Sequence, residues 1–243
     1  MCTVSFIPFG GKIFLTSNRD EKSRRSIAVP PQCYSYRSGK ILFPKDGNAG
    51  GTWFAIHENG NTLVLLNGGF KIHKPAPPYG KSRGLVLLEL ADHETPFNFF
   101  RSINLDDIEP FTLILWESDE LYECRWDGER KYAKHLDKSL PYIWSSVTLY
   151  DDEIAEKREI WFQDWFDART SFNQDDLLNF HRFTGEGDKH NDLTMNRDGK
   201  IFTVSITGVE ITETNATMTY LDLLNNKTYL QRIELNKEWA GRS

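Results

Sequence analysis

Short turn-forming pairs of residues recur along this chain between runs of alternating apolar and polar residues. Such pairs favour the tight turns that join antiparallel strands. The first two pairs and their flanking runs are Gly10-Gly11 between residues 2–8 and 12–19, and Asn59-Gly60 between residues 52–57 and 61–67. The pattern predicts two β-hairpins, each closed by a two-residue turn.

Two later segments repeat the pattern. Residues 111–136 contain turn signals at Ser118-Asp119 and Asp127-Gly128, and residues 200–235 contain one at Asn225-Asn226. Both segments are rich in the β-branched and aromatic residues that are typical of strands. They predict two antiparallel meanders.

Helical patterns are fewer. Apolar residues recur at helical spacing after Asp151, and the acidic residues there suit a helix N-terminus. Ser82 and Asn173 are candidate N-caps for two shorter helices. Helices inserted between two groups of strands predict an α+β fold, and no linker divides residues 1–243, so we expect one domain.

The composition excludes several classes of protein. The formal net charge is −6. An acidic chain is not expected to present the basic surface that binds nucleic acids. No apolar run reaches the roughly 18 residues of a membrane span, and the residues after Met1 do not resemble a signal peptide. Three cysteines at unrelated spacings favour neither a disulfide framework nor a zinc site. We therefore expect a cytoplasmic protein with no nucleic-acid partner and no metal.

Cys2 draws attention because removal of Met1 makes it the first residue. If Gly10-Gly11 forms a two-residue turn, the hairpin register places Cys2 opposite Arg19. A guanidinium directly across the strand pair lowers the pKa of the thiol and so favours the thiolate. Asp20 follows and is expected to pair with Arg19. A two-residue turn at Asn59-Gly60 would likewise place Asn67 opposite Thr52. This pair would also lie at the end of its strands.

A free N-terminal cysteine combines two catalytic groups. The ordinary pKa of an α-amine, about 7.7–8.0, suits a general base near neutral pH. The amine can take the thiol proton, and the thiolate can then attack a carbonyl carbon. The Asn67 side chain or the Gly68 N–H could stabilise the resulting oxyanion.

The residues carrying this pattern also resemble a known family. The segments are "MCT", "SNRDE", "GGTWFAI", "LLNGG" and "SRGLVLLEL", followed less closely by "WSSVTLYDDEIAEKREIW" and "IFTVSITGVEI". Together they are similar to the NRDE family, also called the transport and Golgi organisation family. That family resembles N-terminal nucleophile hydrolases of the penicillin acylase and bile salt hydrolase type. The resemblance implies a four-layer αββα sandwich of two mostly antiparallel sheets.

The resemblance also implies site residues. The implied catalytic residues are Cys2, Arg19, Asp20, Asn67 and Ser146; the candidate substrate-binding residues are Asn18, Gly68, Trp53, Arg83 and Arg197. The match is incomplete in two respects. The hydrolases separate the arginine from the aspartate by two residues, and they carry an asparagine where this chain has Ser146. Arg197 is a candidate for a late arginine that some relatives use.

Two functions remain open at this stage. One is hydrolysis of a nonpeptide C–N amide bond in a small molecule, without a cofactor. The other is binding or trafficking of haem or another hydrophobic ligand, in which Cys2 is a ligand or is inert, since cysteine is often simply buried. The glycines of "GGTW" are expected to serve a bulge or close backbone packing rather than ligand contact. The proline-containing loop at residues 71–84 is expected to cover the substrate.

Overall fold

The computed structural model describes residues 3–23, 28–74 and 77–236. The strands in these residues are β1 (Thr3–Phe9), β2 (Lys12–Lys22), β3 (Val29–Ser35), β4 (Lys40–Lys45), β5 (Phe54–His57), β6 (Thr62–Asn67), β7 (Phe111–Glu117), β8 (Glu120–Trp126), β9 (Lys131–Leu136), β10 (Tyr142–Ser145), β11 (Asn196–Arg197), β12 (Ile201–Ile211), β13 (Asn215–Asp222) and β14 (Lys227–Glu234). The helices are α1 (Arg83–Ala91), α2 (Pro96–Ser102), α3 (Asp152–Asp167) and α4 (Gln174–Phe183).

The strands form two antiparallel sheets. Sheet A has the order β10-β1-β2-β12-β13-β14, with β11 paired to β12. Sheet B runs in chain order from β3 to β9. Because β1 lies between β10 and β2, this strand is an interior strand of sheet A from Thr3 onward.

Alternate residues of each strand separate two layers of the core. In β1, Val4 and Phe6 pack between the sheets, whereas Ile7 packs beneath the helices α3 and α4. In β6, Val64 faces sheet A and Leu63 faces the helices α1 and α2. The two sheets are therefore enclosed by a helical layer on each side, and the expected αββα sandwich is confirmed. The expectation of one domain over residues 1–243 stays a prediction.

The predicted helix starts are confirmed by their capping bonds. Asp151 accepts a hydrogen bond from the Ile154 N–H, and Ser82 accepts one from the Leu85 N–H. Asn173 forms a reciprocal capping box with Asp176. These bonds satisfy N–H groups that have no partner within the helix.

The first hairpin has the predicted register. Thr3 lies opposite Asn18 and Phe9 lies opposite Lys12, and both Gly10 and Gly11 have positive φ angles. A two-residue type I′ turn requires this conformation at both positions.

The second predicted hairpin has a different register from the one expected. Phe54 lies opposite Val64, and the His57 N–H donates to the Asn61 carbonyl, so residues 58–60 form a three-residue loop. Gly60 has a φ of 94°, as the last position of such a loop requires. The prediction of Asn67 opposite Thr52 is therefore wrong by one residue, and the Thr52 N–H instead donates to the Gly84 carbonyl.

Candidate functional site

A cavity of about 400 Å³ lies at the end of the sheets where β2 and β6 finish. This volume is within the range of small-molecule sites. The described lining residues are Arg19, Glu21, Asp46, Ala49, Gly51, Thr52, Trp53, Leu65, Asn67, Tyr79, Lys81, Ser82, Arg83, Gly84 and Glu109. The cavity therefore brings together four of the predicted site residues: Arg19, Trp53, Asn67 and Arg83.

Arg19 is fixed on three sides. Its guanidinium lies 2.9 Å from the Asp46 carboxylate and 3.7 Å from that of Glu21, and it stacks 4.3 Å from the centre of the Trp53 ring. Its side chain is only 4% exposed. A buried guanidinium needs such partners to offset its desolvation. Trp53 thus packs in the core and also lines the cavity beneath Arg19.

Asp20 does not pair with Arg19. It lies one residue further along β2, so its side chain projects from the opposite face of sheet A. There it accepts hydrogen bonds from the Tyr150 hydroxyl at 2.9 Å and the Thr203 hydroxyl at 2.5 Å. The predicted Arg19–Asp20 ion pair is wrong, and Asp46 takes the place of Asp20 as the partner of Arg19.

Asn67 is held by its backbone and presents its side chain without a partner among the described residues. The Ser146 hydroxyl donates to the Asn67 carbonyl at 2.8 Å. The next residue, Gly68, donates its N–H to the Pro110 carbonyl and accepts from the Thr112 hydroxyl. Within the described part of the chain, the Asn67 amide makes no hydrogen bond, so it can donate to a ligand.

These contacts change two of the expected roles. The Gly68 N–H is already used by Pro110, so it is not available to an oxyanion. Ser146 is 1% exposed and donates its proton to the Asn67 carbonyl. Because Ser146 follows β10 in sheet A and Asn67 ends β6 in sheet B, this bond joins the two sheets at the cavity.

Two glycines allow the backbone to close one wall of the cavity. A Cβ atom on Gly51 would lie 2.5 Å from the Gly84 carbonyl carbon, and one on Gly84 would lie 2.8 Å from the Thr52 carbonyl oxygen. Neither distance is tolerated between real atoms. The expected role of the "GGTW" glycines in close packing is confirmed for Gly51.

Arg83 begins α1 and forms the second ion pair of the cavity. Its guanidinium lies 3.0 Å from the Glu109 carboxylate and donates to the Pro110 carbonyl at 3.1 Å. His73, from the proline-containing loop, contacts the other Glu109 oxygen at 3.2 Å. Tyr79 and Lys81 of the same loop line the cavity. That this loop covers the substrate stays a prediction.

Asn18 and Arg197 do not line the described cavity. The Asn18 amide donates to the carbonyls of His181 and Leu193 on the helix side of sheet A. Arg197 donates to the carbonyls of His190 and Leu149. Both side chains therefore serve the internal structure of the helical layer on that side.

Sequence reasoning missed Asp46 and Glu109. Asp46 stands in "KDGNAGG", which is typical of a turn, and one of its oxygens does accept the N–H groups of Asn48 and Ala49. Its other oxygen contacts Arg19. Both carboxylates lie far in the sequence from their arginine partners. Nothing in the local sequence indicates such long-range pairs.

Cys2 lies outside the described residues, but the strand pairing next to it is described. Thr3 lies opposite Asn18 of β2 on one side and opposite Ser145 of β10 on the other. The remaining two cysteines are free: Cys33 is exposed and Cys124 is buried, where desolvation raises its pKa to about 12. The described residues contain no group of three or more His, Cys, Asp or Glu side chains that could hold a metal ion. Nor is any helix among them long and apolar enough to cross a bilayer.

Three solved structures are similar to this chain. An ortholog of N-acylethanolamine-hydrolyzing acid amidase from Caenorhabditis elegans has a TM-score of 0.50 and 11% identity, covering 85% of this chain and 92% of that one. A conjugated bile acid hydrolase from Clostridium perfringens, mutated from cysteine to alanine at position 2, has a TM-score of 0.50 and 10% identity, with 98% of each chain covered. An arginine-to-leucine variant of that hydrolase has a TM-score of 0.51 and 10% identity, covering 97% of this chain and 98% of that one. At such identities these matches establish the fold.

The comparisons by sequence give one family match. A family model described as "Transport and Golgi organisation 2" matches residues 1–206. No curated protein gives a significant match.

Proposed function

The chain belongs to the Transport and Golgi organisation 2 family, and from the geometry around the start of β1 we propose that it is an N-terminal cysteine hydrolase of nonpeptide C–N amide bonds. One observation carries the proposal. Thr3, the residue after Cys2, lies opposite Asn18 of β2 on one side and Ser145 of β10 on the other, and the next residues along those two segments are Arg19 and Ser146. Arg19 lines the cavity, and Ser146 is bonded to Asn67, which lines it as well.

The alternation of β1 supports the same conclusion. Val4 and Phe6 face the space between the sheets, and a strand sends every second side chain to one face. Residue 2 has the same parity as these residues. Arg19, which lines the cavity and stacks on Trp53 of the same core layer, lies on that side of sheet A.

The reaction follows from these groups. After Met1 is removed, the α-amine of Cys2 takes the thiol proton and the thiolate attacks the amide carbonyl, which forms a C–S bond and an oxyanion. The Asn67 amide is the candidate donor to that oxyanion. The ammonium then protonates the leaving nitrogen as the C–N bond breaks. Water hydrolyses the thioester and restores the thiol.

Arg19 and Asp20 act on opposite faces of the strand. Arg19, held by Asp46 and Trp53, supplies a fixed positive charge that favours the thiolate. Asp20 is a buried carboxylate whose described partners are two neutral hydroxyl groups. Because it lies one residue beyond Arg19, it is suited to hold the α-ammonium that forms during the reaction.

A cysteine at position 2 is shared with a structural neighbour. The Clostridium perfringens protein is a conjugated bile acid hydrolase, and its structure was solved with that cysteine changed to alanine. The Caenorhabditis elegans neighbour is named as an acid amidase. That name supports the choice of an amide as the substrate class of this chain.

The carrier function has less support. The described cavity lining includes six charged residues, Arg19, Glu21, Asp46, Lys81, Arg83 and Glu109, and no histidine or methionine. Such a lining favours a polar small molecule over a haem. A haem titration followed by absorbance tests this alternative, which predicts a spectral shift that persists in Cys2→Ala.

The experiment begins with the intact mass of the purified protein, which shows whether Met1 is removed. In a Cys33→Ser background, which eliminates the exposed thiol, p-nitrophenyl acetate should transfer its acetyl group to residue 2 and release nitrophenolate. Cys2→Ala should abolish both signals. The proposed hydrolase function is contradicted if protein that retains Met1 is acylated at the full rate. It is also contradicted if Cys2→Ala is acylated as fast as the protein that keeps Cys2.

A further inference from the structure

Two buried basic side chains reach β1 from the helical layer of sheet A. Arg158 comes from α3 and His181 from α4, and both are 0% exposed. They contact β1 at Thr3 and Ser5, two residues that share one face of the strand. Neither side chain lines the described cavity, so the proposed chemistry alone does not explain why two such polar groups are buried here.

Arg158 is a buried cation without a carboxylate partner among the described residues. Its Nη1 donates to the Thr3 hydroxyl, and its Nη2 donates to the carbonyls of Asn191 and Asp192, each at 2.9 Å. The guanidinium also stacks 3.6 Å from the centre of the Tyr150 ring. Its Nε has no partner in the described part of the chain. Burying a guanidinium this way is costly, and an apolar side chain would fill the same space at lower cost.

His181 bridges the first two strands. The Asn18 amide nitrogen donates to two carbonyls, so its oxygen is the acceptor that faces Nδ1 of His181. Nδ1 therefore carries the proton, and Nε2 accepts from the Ser5 hydroxyl at 2.7 Å. Burial, together with the nearby Arg158, lowers the pKa of His181 to about 3, which keeps this neutral form at physiological pH.

The contacts lie directly behind the reacting end of the strand. Thr3 follows Cys2, and Asn18 precedes Arg19. A bond to Thr3 or Asn18 on the helix face limits rotation and sliding of the backbone next to Cys2, and of the backbone that presents Arg19 on the other face of the sheet. A shift of about 1 Å at a reacting group can reduce a rate about 100-fold.

We propose that Arg158 and His181 are positioning residues that clamp β1 and β2 from the helix side, so that the backbone of Thr3 and Asn18, next to Cys2 and Arg19 in the sequence, keeps a fixed orientation. This inference rests on the proposed function. It assigns to the helical layer a role in the geometry of the site, in addition to its role in covering the sheet.

The test removes the clamp from the strand side, where the substitutions are small. Thr3→Val and Ser5→Ala delete the acceptor for Arg158 and the donor to His181. The matched control is Thr16→Val, which deletes a buried hydroxyl on β2 that accepts from Gln174 of α4 at 3.1 Å. All variants carry Cys33→Ser. Two reagents are compared: p-nitrophenyl acetate, whose reaction requires an oriented carbonyl, and iodoacetamide, which alkylates a thiol with little demand on its surroundings.

We expect Thr3→Val to reduce acylation of Cys2 about tenfold or more, while alkylation by iodoacetamide changes less than about twofold and the control keeps both rates. Arg158→Met should act like Thr3→Val, and Arg158→Lys should restore part of the rate. An equal loss in Thr16→Val, or acylation that is unchanged in Thr3→Val, overturns the clamp.

Hydrogen exchange separates this inference from the proposed function. The amides of residues 3–5 should exchange faster in Thr3→Val and Ser5→Ala than in Thr16→Val, whatever the chemistry of Cys2. Unchanged exchange overturns the clamp even if Cys2 is acylated. If the unsubstituted protein is not acylated while exchange rises as expected, the hydrolase fails and the mechanical part of the clamp stands.

Discussion

Arg19 and Asp46 come from different sheets and meet at 2.9 Å inside the cavity. Arg19 lies in β2 of sheet A, and Asp46 follows β4 of sheet B. Their ion pair therefore fastens the two sheets together at the end where the proposed chemistry takes place. The Ser146 bond to the Asn67 carbonyl is a second link of the same kind.

Removal of one partner from the Arg19–Asp46 pair should lower stability strongly. Asp46→Asn leaves a nearly buried guanidinium with Glu21, at 3.7 Å, as its remaining described carboxylate partner. We expect a loss of about 3 kcal/mol in the free energy of unfolding, measured by urea denaturation. The control is Glu210→Gln, which breaks the more exposed pair with Lys12 and should cost less than about 1 kcal/mol. Equal losses in the two variants would show that burial does not matter here.

Asn67 and Ser146 should affect the reaction differently. Asn67→Ala removes the donor proposed for the oxyanion and should reduce the rate of acylation by about 100-fold to 1,000-fold. Ser146→Ala removes the bond that holds the Asn67 carbonyl and a contact with the Thr148 hydroxyl, but leaves the Asn67 amide in place, so its effect should be smaller. Burst kinetics with p-nitrophenyl acetate measure both. An Asn67→Ala variant with an unchanged burst would exclude that side chain from the oxyanion site.

Gly84→Ala should disturb the cavity wall. The added Cβ would lie 2.8 Å from the Thr52 carbonyl oxygen and 3.0 Å from its nitrogen, so the backbone must move. We expect a loss of about 1–3 kcal/mol in the free energy of unfolding, together with slower acylation. Gly80→Ala is the control, since its Cβ would meet Asp107 at an ordinary 3.7 Å. A Gly84→Ala variant as stable as Gly80→Ala would contradict the close packing.

Local signals in the sequence predicted much of this fold. The Gly10-Gly11 turn and the caps at Ser82, Asp151 and Asn173 depend on residues close in sequence, and all four are confirmed. At Asn59-Gly60 the same kind of signal failed, because a glycine with positive φ serves both two-residue and three-residue loops.

Edge strands and cross-sheet contacts were harder to predict. Strand β3, "VPPQCYS", contains two prolines and little alternation; it lies at the edge of sheet B, where prolines are tolerated. Helix α2 begins with Pro96 and has no side-chain cap of its own, since Glu117 of β7 accepts the Phe97 N–H instead. Asp46 is another such case, because its partner Arg19 is distant in sequence.

His181 should make the protein less stable in acid. Its pKa in the folded state is about 3, below the ordinary value of about 6.5, so between these values the unfolded chain binds a proton that the folded chain excludes. Stability is therefore complete above about pH 6.5 and falls as the pH falls towards 3, by at most about 1.4 kcal/mol per pH unit from this group. Urea denaturation between about pH 7 and pH 4 measures the slope.

The contribution of His181 is isolated by comparison with a variant. His181→Gln lacks the titrating ring and should lose less stability over that pH range, although it is less stable at neutral pH because Ser5 and Asn18 lose their partners. His57 is also buried, with a lowered pKa, and it adds to the slope equally in both proteins. Parallel slopes in the unsubstituted protein and His181→Gln would mean that the folded protein admits the proton, and the tautomer assigned to the clamp would then be wrong.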